Sequence, residues 1–351
     1  MGNLLVYSGI TTKIRAMRSR LLSEKDFEEI SALHNVPEVV AYLKKHSAYA
    51  DDFAQIDENK LHRGDVEKIL VQSLYDDYSR LYRFSGIEVR KFMKLYLKRY
   101  EVDLINYCLR IIFNHYEQPF DLNYKRTFFD RYSQISIEKL ITSRTIEEFV
   151  DNLQGTEYYE PLRKLRDSNA STLFDYDLAQ DLYYYTTLWK EKKKVLKKRE
   201  LEIFTRDIGS KIDLLNLQWI YRAKKYFKMQ PADIYSMIIP IHFKIHRDTV
   251  KELVETASVE EFIAHVASTY YVKRYDFDDH HTIERVYFEC IQRLYTVDER
   301  RNPYSIASIN TYLFLKEEEI KRLTSTLECI RYGLTPKDTG QLHGRCHFSV
   351  L

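Results

Sequence analysis

Three stretches of this chain share one pattern, and the distance between them limits what the chain can fold into. Ile30–Tyr49 (ISALHNVPEVVAYLKKHSAY), Leu140–Tyr158 (LITSRTIEEFVDNLQGTEY) and Leu253–Tyr270 (LVETASVEEFIAHVASTY) start 110 and 113 residues apart. Six residues after each start stands Val36, Ile146 or Val259, nine after it Val39, Phe149 or Phe262, and thirteen after it Leu43, Leu153 or Val266. Steps of three and then four put these side chains on one face of a helix. Just before the first apolar position come Asn35, Thr145 and Ser258. These are N-cap residue types, whose side-chain oxygen accepts a free backbone N–H. Glu38, Glu148 and Glu261 follow three residues later, so Thr145/Glu148 and Ser258/Glu261 read as capping boxes.

A second pattern keeps nearly the same period: Asp103-Leu-Ile-Asn106, Asp213-Leu-Leu-Asn216 and Glu319-Ile-Lys-Arg322. Between the two lies a third helix type, at Val66–Tyr82, Leu178–Trp189 and Ile283–Tyr295. Solenoid repeats run about 20–50 residues. A period near 110 is the size of a domain, so each copy is expected to be a helical bundle. The boundaries fall near Asn123 and Gln230, giving repeats at 1–123, 124–230 and 231–336. The last fifteen residues, 337–351, lose the helical period after Pro336 and read as a disordered tail.

Composition agrees with an all-α reading. Only 9 glycines and 7 prolines punctuate 351 residues, too few for the tight turns of a hairpin-rich β fold. Tyrosine is abundant at 29, which suits half-buried helix faces where the ring packs and the hydroxyl finds a partner. The four cysteines are scattered without a CxxC pair, as in a reducing compartment. The N-terminal stretch lacks the apolar core of a secretory signal. The most apolar segment, Ile234–Ile245, is too short to span a bilayer. A cytoplasmic location is expected.

Sites of chemistry are hard to find. Neither GxxxxGK[ST] nor GxGxxG occurs, so nothing is built to cradle a nucleotide phosphate. His242 and His246 are spaced to share a helix face, but a zinc site needs a third ligand. Only His265, His280 and His281 are near in sequence, HExxH is absent, and no metal site is expected. Tyr275–His281 lacks the glycine and closing glutamate of a calcium loop and reads as a polar turn before the helix at Ile283. No catalytic residue and no cofactor is assigned. Lys+Arg is 54 against 52 Asp+Glu, a net charge of +2, which does not favour nucleic acid as a partner. The basic run Lys190–Arg199 reads first as a solvated helix face. Its lysines Lys192, Lys193, Lys194, Lys197 and Lys198 are candidates for contact with lipid head groups at an anionic membrane surface.

Two terminal stretches carry a resemblance. Thr11–Asp26 (TTKIRAMRSRLLSEKD) followed by FEEI and the Leu43…Tyr49 ending resembles the start of the C subunit of the V/A-type rotary ATPases, the family that includes the d subunit of eukaryotic vacuolar ATPases. Ile309–Leu334 resembles that family's closing motif at Leu313, Glu317, Glu319, Ile320, Leu323, Ile330, Arg331 and Gly333. The resemblance covers about residues 7–334, while the basic run and the tail have no counterpart in it. It implies three related helical domains about a pseudo-threefold axis, forming a funnel. It implies a non-catalytic central-stalk adaptor, peripheral on the cytoplasmic face of the membrane. Such an adaptor accepts the shaft of the soluble ATPase head, sits on the membrane rotor ring of proteolipid subunits, and couples ATP hydrolysis or synthesis to H+ or Na+ transport. The competing reading is a helical interaction scaffold or nucleic-acid-binding protein unconnected with rotary motors.

Overall fold

The helices begin where the caps place them. The structure, a computed structural model, describes residues 2–115, 121–168, 170, 172–271 and 283–333. Its described residues are α-helical with short connections and no strand. The first run holds α1 (Gly2–Arg18), α2 (Glu24–Ser31), α3 (Val36–Lys45) and α4 (Ala50–Phe53), then two long helices, α5 (Arg63–Phe84) and α6 (Ile87–Phe113). The second holds α7 (Asn123–Tyr132), α8 (Ile137–Leu140), α9 (Ile146–Asn152) and α10 (Tyr159–Asp167), then α11 (Leu173–Val195) and α12 (Lys198–Arg222). The third holds α13 (Pro231–Met237), α14 (Arg247–Glu255) and α15 (Val259–Ala267), then α16 (Ile283–Arg301) and α17 (Ile306–Arg331). Leaving α1 aside, each run sets short helices before a long pair.

α3, α9 and α15 are the three matched segments. Their N-caps are Asn35, Thr145 and Ser258, and each side chain accepts the backbone N–H of Glu38, Glu148 or Glu261. The return bond differs from a standard capping box. Each glutamate carboxylate takes the N–H of the residue before the cap, at His34, Arg144 or Ala257, at 2.7–2.9 Å. One more orphan donor is satisfied at each entry. Burial repeats as well. Val36, Ile146 and Val259 are half-buried at the rim, whereas Val39, Phe149 and Phe262 are at most 1% exposed. So are Leu43, Leu153 and Val266.

Contacts gather the chain into two units. The first contains the described residues of Met1–Met93, Pro119–Thr142 and Asn302–Leu351. Within it α17 packs against α1, α2, α3 and α5, and α7 packs against α5. Tyr75 stacks on Phe128 with ring centroids 4.2 Å apart, and Phe129 meets the same ring edge-on. The second contains the described residues of Lys94–Gln118 and Ser143–Arg301. Here α12 is covered by α11, α13, α15 and α16, so that nearly every side chain from Asp207 to Ile220 is buried.

Burial on all sides forces α12 to find internal partners for its polar residues. Asp213 accepts the backbone N–H groups of Phe243, Lys244 and Ile245. Asn216 both donates to and accepts from the backbone of Ile239, at 3.0 and 2.9 Å. Gly209, one turn before Asp213, makes room for this strap. A Cβ there would lie 2.5 Å from Cγ of Phe243. The strap is not helical, so His242 and His246 do not share a helix face; His246 is the N-cap of α14. The turn at Tyr275–His281 and the tail 337–351 lie outside the described residues.

Candidate interaction site

A tyrosine at or one residue past the end of each matched segment is tied to a long helix by its hydroxyl. Tyr49 donates to Glu319 of α17 at 2.6 Å, Tyr158 to Glu101 of α6 at 2.7 Å, and Tyr271 to Asp213 of α12 at 2.9 Å. All three rings are at most 5% exposed. Burial, joined by the adjacent carboxylate, pushes each phenol well above its ordinary range, so each stays a donor. The second and third segments reach back to the long helix just before them in the chain. The first reaches the last long helix, α17, 270 residues away.

Two of the three acceptors, Asp213 and Glu319, are the acids of the second sequence pattern. In the first copy the acceptor is Glu101, while Asp103 is exposed. In the third, Tyr271 takes the bond and Tyr270 stays 40% exposed. The joint at Glu319 is the most elaborate. Its other oxygen accepts the Leu22 N–H at 2.6 Å, and the buried Lys316 ammonium lies 3.0 Å from Oε1 and 2.8 Å from the Tyr49 hydroxyl. Two further buried ties of the same kind join Tyr312 to Asp77 and Tyr295 to Asp207. The carboxylates on these helices therefore bind the protein to itself.

One buried polar face is not satisfied in this way. On α11, Asp177, Gln180 and Asp181 are 5%, 0% and 8% exposed, at a spacing that shares a helix face. Both amide atoms of Gln180, and one oxygen of Asp177, lack a hydrogen-bond partner among the described residues, as does the Oδ1 of Asn106 on α6 in the same unit. Burial pushes Asp177 up to about 6, with Arg110 pulling the other way. Burial pushes Asp181 well above the carboxylate range, and Asp177 and Asp103 push it further. An orphaned buried polar group costs about 1–3 kcal/mol, so this face weakens the fold unless residues outside the described ones complete it. Sequence reading passed it over, because three polar residues inside a tyrosine-rich helix look like a solvated stripe.

The basic run is divided. α11 ends at Val195, Leu196 is buried, and α12 begins at Lys198. Lys192 turns inward at 2% exposure, its ammonium 2.9 Å from the centroid of the Trp189 ring, and burial lowers it to about 8. Lys193, Lys194, Lys197 and Lys198 remain exposed. Among the described residues no three histidine, cysteine or acidic side chains gather as a metal site would need. Nor is any described helix long and apolar enough to cross a membrane.

Comparison with known proteins places this architecture. The family model described as ATP synthase (C/AC39) subunit matches residues 10–342. The C subunit of the A-type ATP synthase of Thermococcus kodakarensis is 25% identical over 94% of this chain and 88% of its own length. Proteins of the same description from Methanocaldococcus jannaschii and Pyrococcus horikoshii are 22% and 25% identical. These two matches cover 97% and 96% of this chain, and 86% and 90% of the relatives.

Proposed function

This chain belongs to the ATP synthase (C/AC39) subunit family, and we propose that it serves a V/A-type rotary ATPase as the non-catalytic adaptor of the central stalk. In this reading the three repeats stand about a pseudo-threefold axis. One end of the resulting funnel receives the shaft subunits of the soluble ATPase head. The other rests on the rotor ring of proteolipid subunits at the cytoplasmic face of the membrane. The adaptor makes ATP hydrolysis or synthesis move with H+ or Na+ transport and performs no bond chemistry itself.

The carrying observation is the order of the tyrosine joints. Segments two and three bind the long helix before them, and segment one binds the last, at Tyr49–Glu319. A row of three bundles would leave its first and last members unjoined. A ring joins them, and a ring of similar units has a central depression. The exposed lysines Lys193, Lys194, Lys197 and Lys198 are the proposed contacts with lipid head groups.

The test is binding in two halves. The purified chain is presented separately to the shaft subunits and to detergent-solubilised rotor ring of its own ATPase. Binding to both supports the reading. Failure to bind either would remove the adaptor role and leave the family membership standing.

A further inference from the structure

A cavity of about 180 Å³ lies in the second unit between α12 and α16, beneath the strap before α14 and the tyrosines after α15. Its charges are uneven. Arg206 of α12, Arg293 and Arg301 of α16 and Lys244 of the strap line it, with one carboxylate among the described residues, Asp298.

Two of the four cations have defined neighbours. Asp298 is buried and accepts two bonds from the Arg206 guanidinium, Nη2 at 2.8 Å and Nε at 3.3 Å, which fixes the arginine fork. The Lys244 ammonium lies 5.0 Å from the centroid of the Phe243 ring and 5.4 Å from that of Tyr270. The Asp213 carboxylate, by accepting the N–H of Lys244 itself, anchors the strap that carries it. Leu294 and Val297 add an apolar wall. Positioned guanidinium and ammonium groups over an apolar wall are a receptor for a phosphoryl oxyanion bearing a small organic group. The volume is below the roughly 300 Å³ at which sites for drug-sized ligands begin, so the fit is to one or two phosphoryl groups.

We propose that this pocket binds a phosphate ester or pyrophosphate group through Arg206, Lys244, Arg293 and Arg301. The group can come from a soluble phosphate compound or from a phospholipid headgroup, and the two sources are separable. In one arm the full-length chain is titrated calorimetrically with sodium pyrophosphate in phosphate-free, low-salt buffer. In the other it is floated with phosphatidylcholine vesicles prepared with and without phosphatidylglycerol. Lys244→Gln/Arg293→Gln is the test variant, both residues being exposed, and Arg301→Gln is a second, independent one. Lys25→Gln/Lys60→Gln, at exposed lysines of the first unit (83% and 82%), is the control.

Saturable pyrophosphate binding that falls with salt, and weakens about tenfold or more in both pocket variants but not in the control, supports the site. Binding of phosphatidylglycerol vesicles with the same residue dependence assigns the phosphate to a lipid. Pyrophosphate binding without such vesicle binding assigns it to a soluble compound. Binding in neither arm, or binding indifferent to Lys244, Arg293 and Arg301, overturns the proposal.

Discussion

Glu319 and Lys316 have side chains only 4% and 3% exposed, and their charges are tolerable there because each is paired and hydrogen-bonded. Glu319→Ala would leave an ammonium and a phenol hydroxyl unmatched in the interior. The expected cost is about 3–5 kcal/mol, read from urea denaturation. A cost below about 1 kcal/mol, the scale of an exposed pair, would show that the network is not holding the first segment. Asp177 is the opposite case, since burial lifts its folded-state value to about 6 from 3.8. A raised carboxyl stabilises the fold below its unfolded value, and that contribution is lost as pH rises through about 6. Asp177→Asn should therefore raise the melting temperature of the isolated chain near pH 7.5 and leave it unchanged near pH 4. An equal shift at both pH values would assign the effect to packing. Phe149 and Phe262 were readable as core from the offsets of three and four alone, because burial follows helix geometry. Truncating either to alanine should cost about 3–5 kcal/mol. Which acid a given tyrosine reaches was not readable, since Tyr49 and Glu319 are 270 residues apart and no local pattern encodes that pairing.

At the scale of elements, caps and helix faces were written locally and the structure keeps them. α3, α9 and α15 start at the residue after each cap. Thr145→Ala or Ser258→Ala should cost about 1 kcal/mol, with the loss concentrated in hydrogen exchange of the first turn. Unchanged protection there would mean the caps are incidental. The strap from Ile239 to Ile245 is where local reading failed. Its histidine spacing suggests a helix, yet Asp213 and Asn216 offer the backbone other partners and Gly209 leaves room for Phe243. Gly209→Ala should push the strap off α12 and lower the melting temperature, with the signals of Phe243 and Ile245 moving most. A neutral substitution would show that the strap adapts freely. Lys192 illustrates the same limit, because a lysine in a basic run reads as solvated unless the neighbouring Trp189 ring is known to cover it.

Over the whole molecule, the recurrence of the matched segments was visible as a period near 110 residues, and family membership was visible in the two terminal motifs. Each of the two units into which contacts divide the chain is assembled from stretches that are apart in sequence. The long helices of one copy carry the joints of the next, so the first unit needs both ends of the chain. Removing α17 should therefore unfold the first matched segment as well. The central claim, that this chain couples the head to the membrane sector, is tested most directly by reconstituting its ATPase in vesicles with and without it. ATP hydrolysis by the head should persist without the chain while ATP-driven ion uptake is abolished, and adding the purified chain back should restore uptake. Ion uptake at the full rate in a complex assembled without the chain would contradict the account.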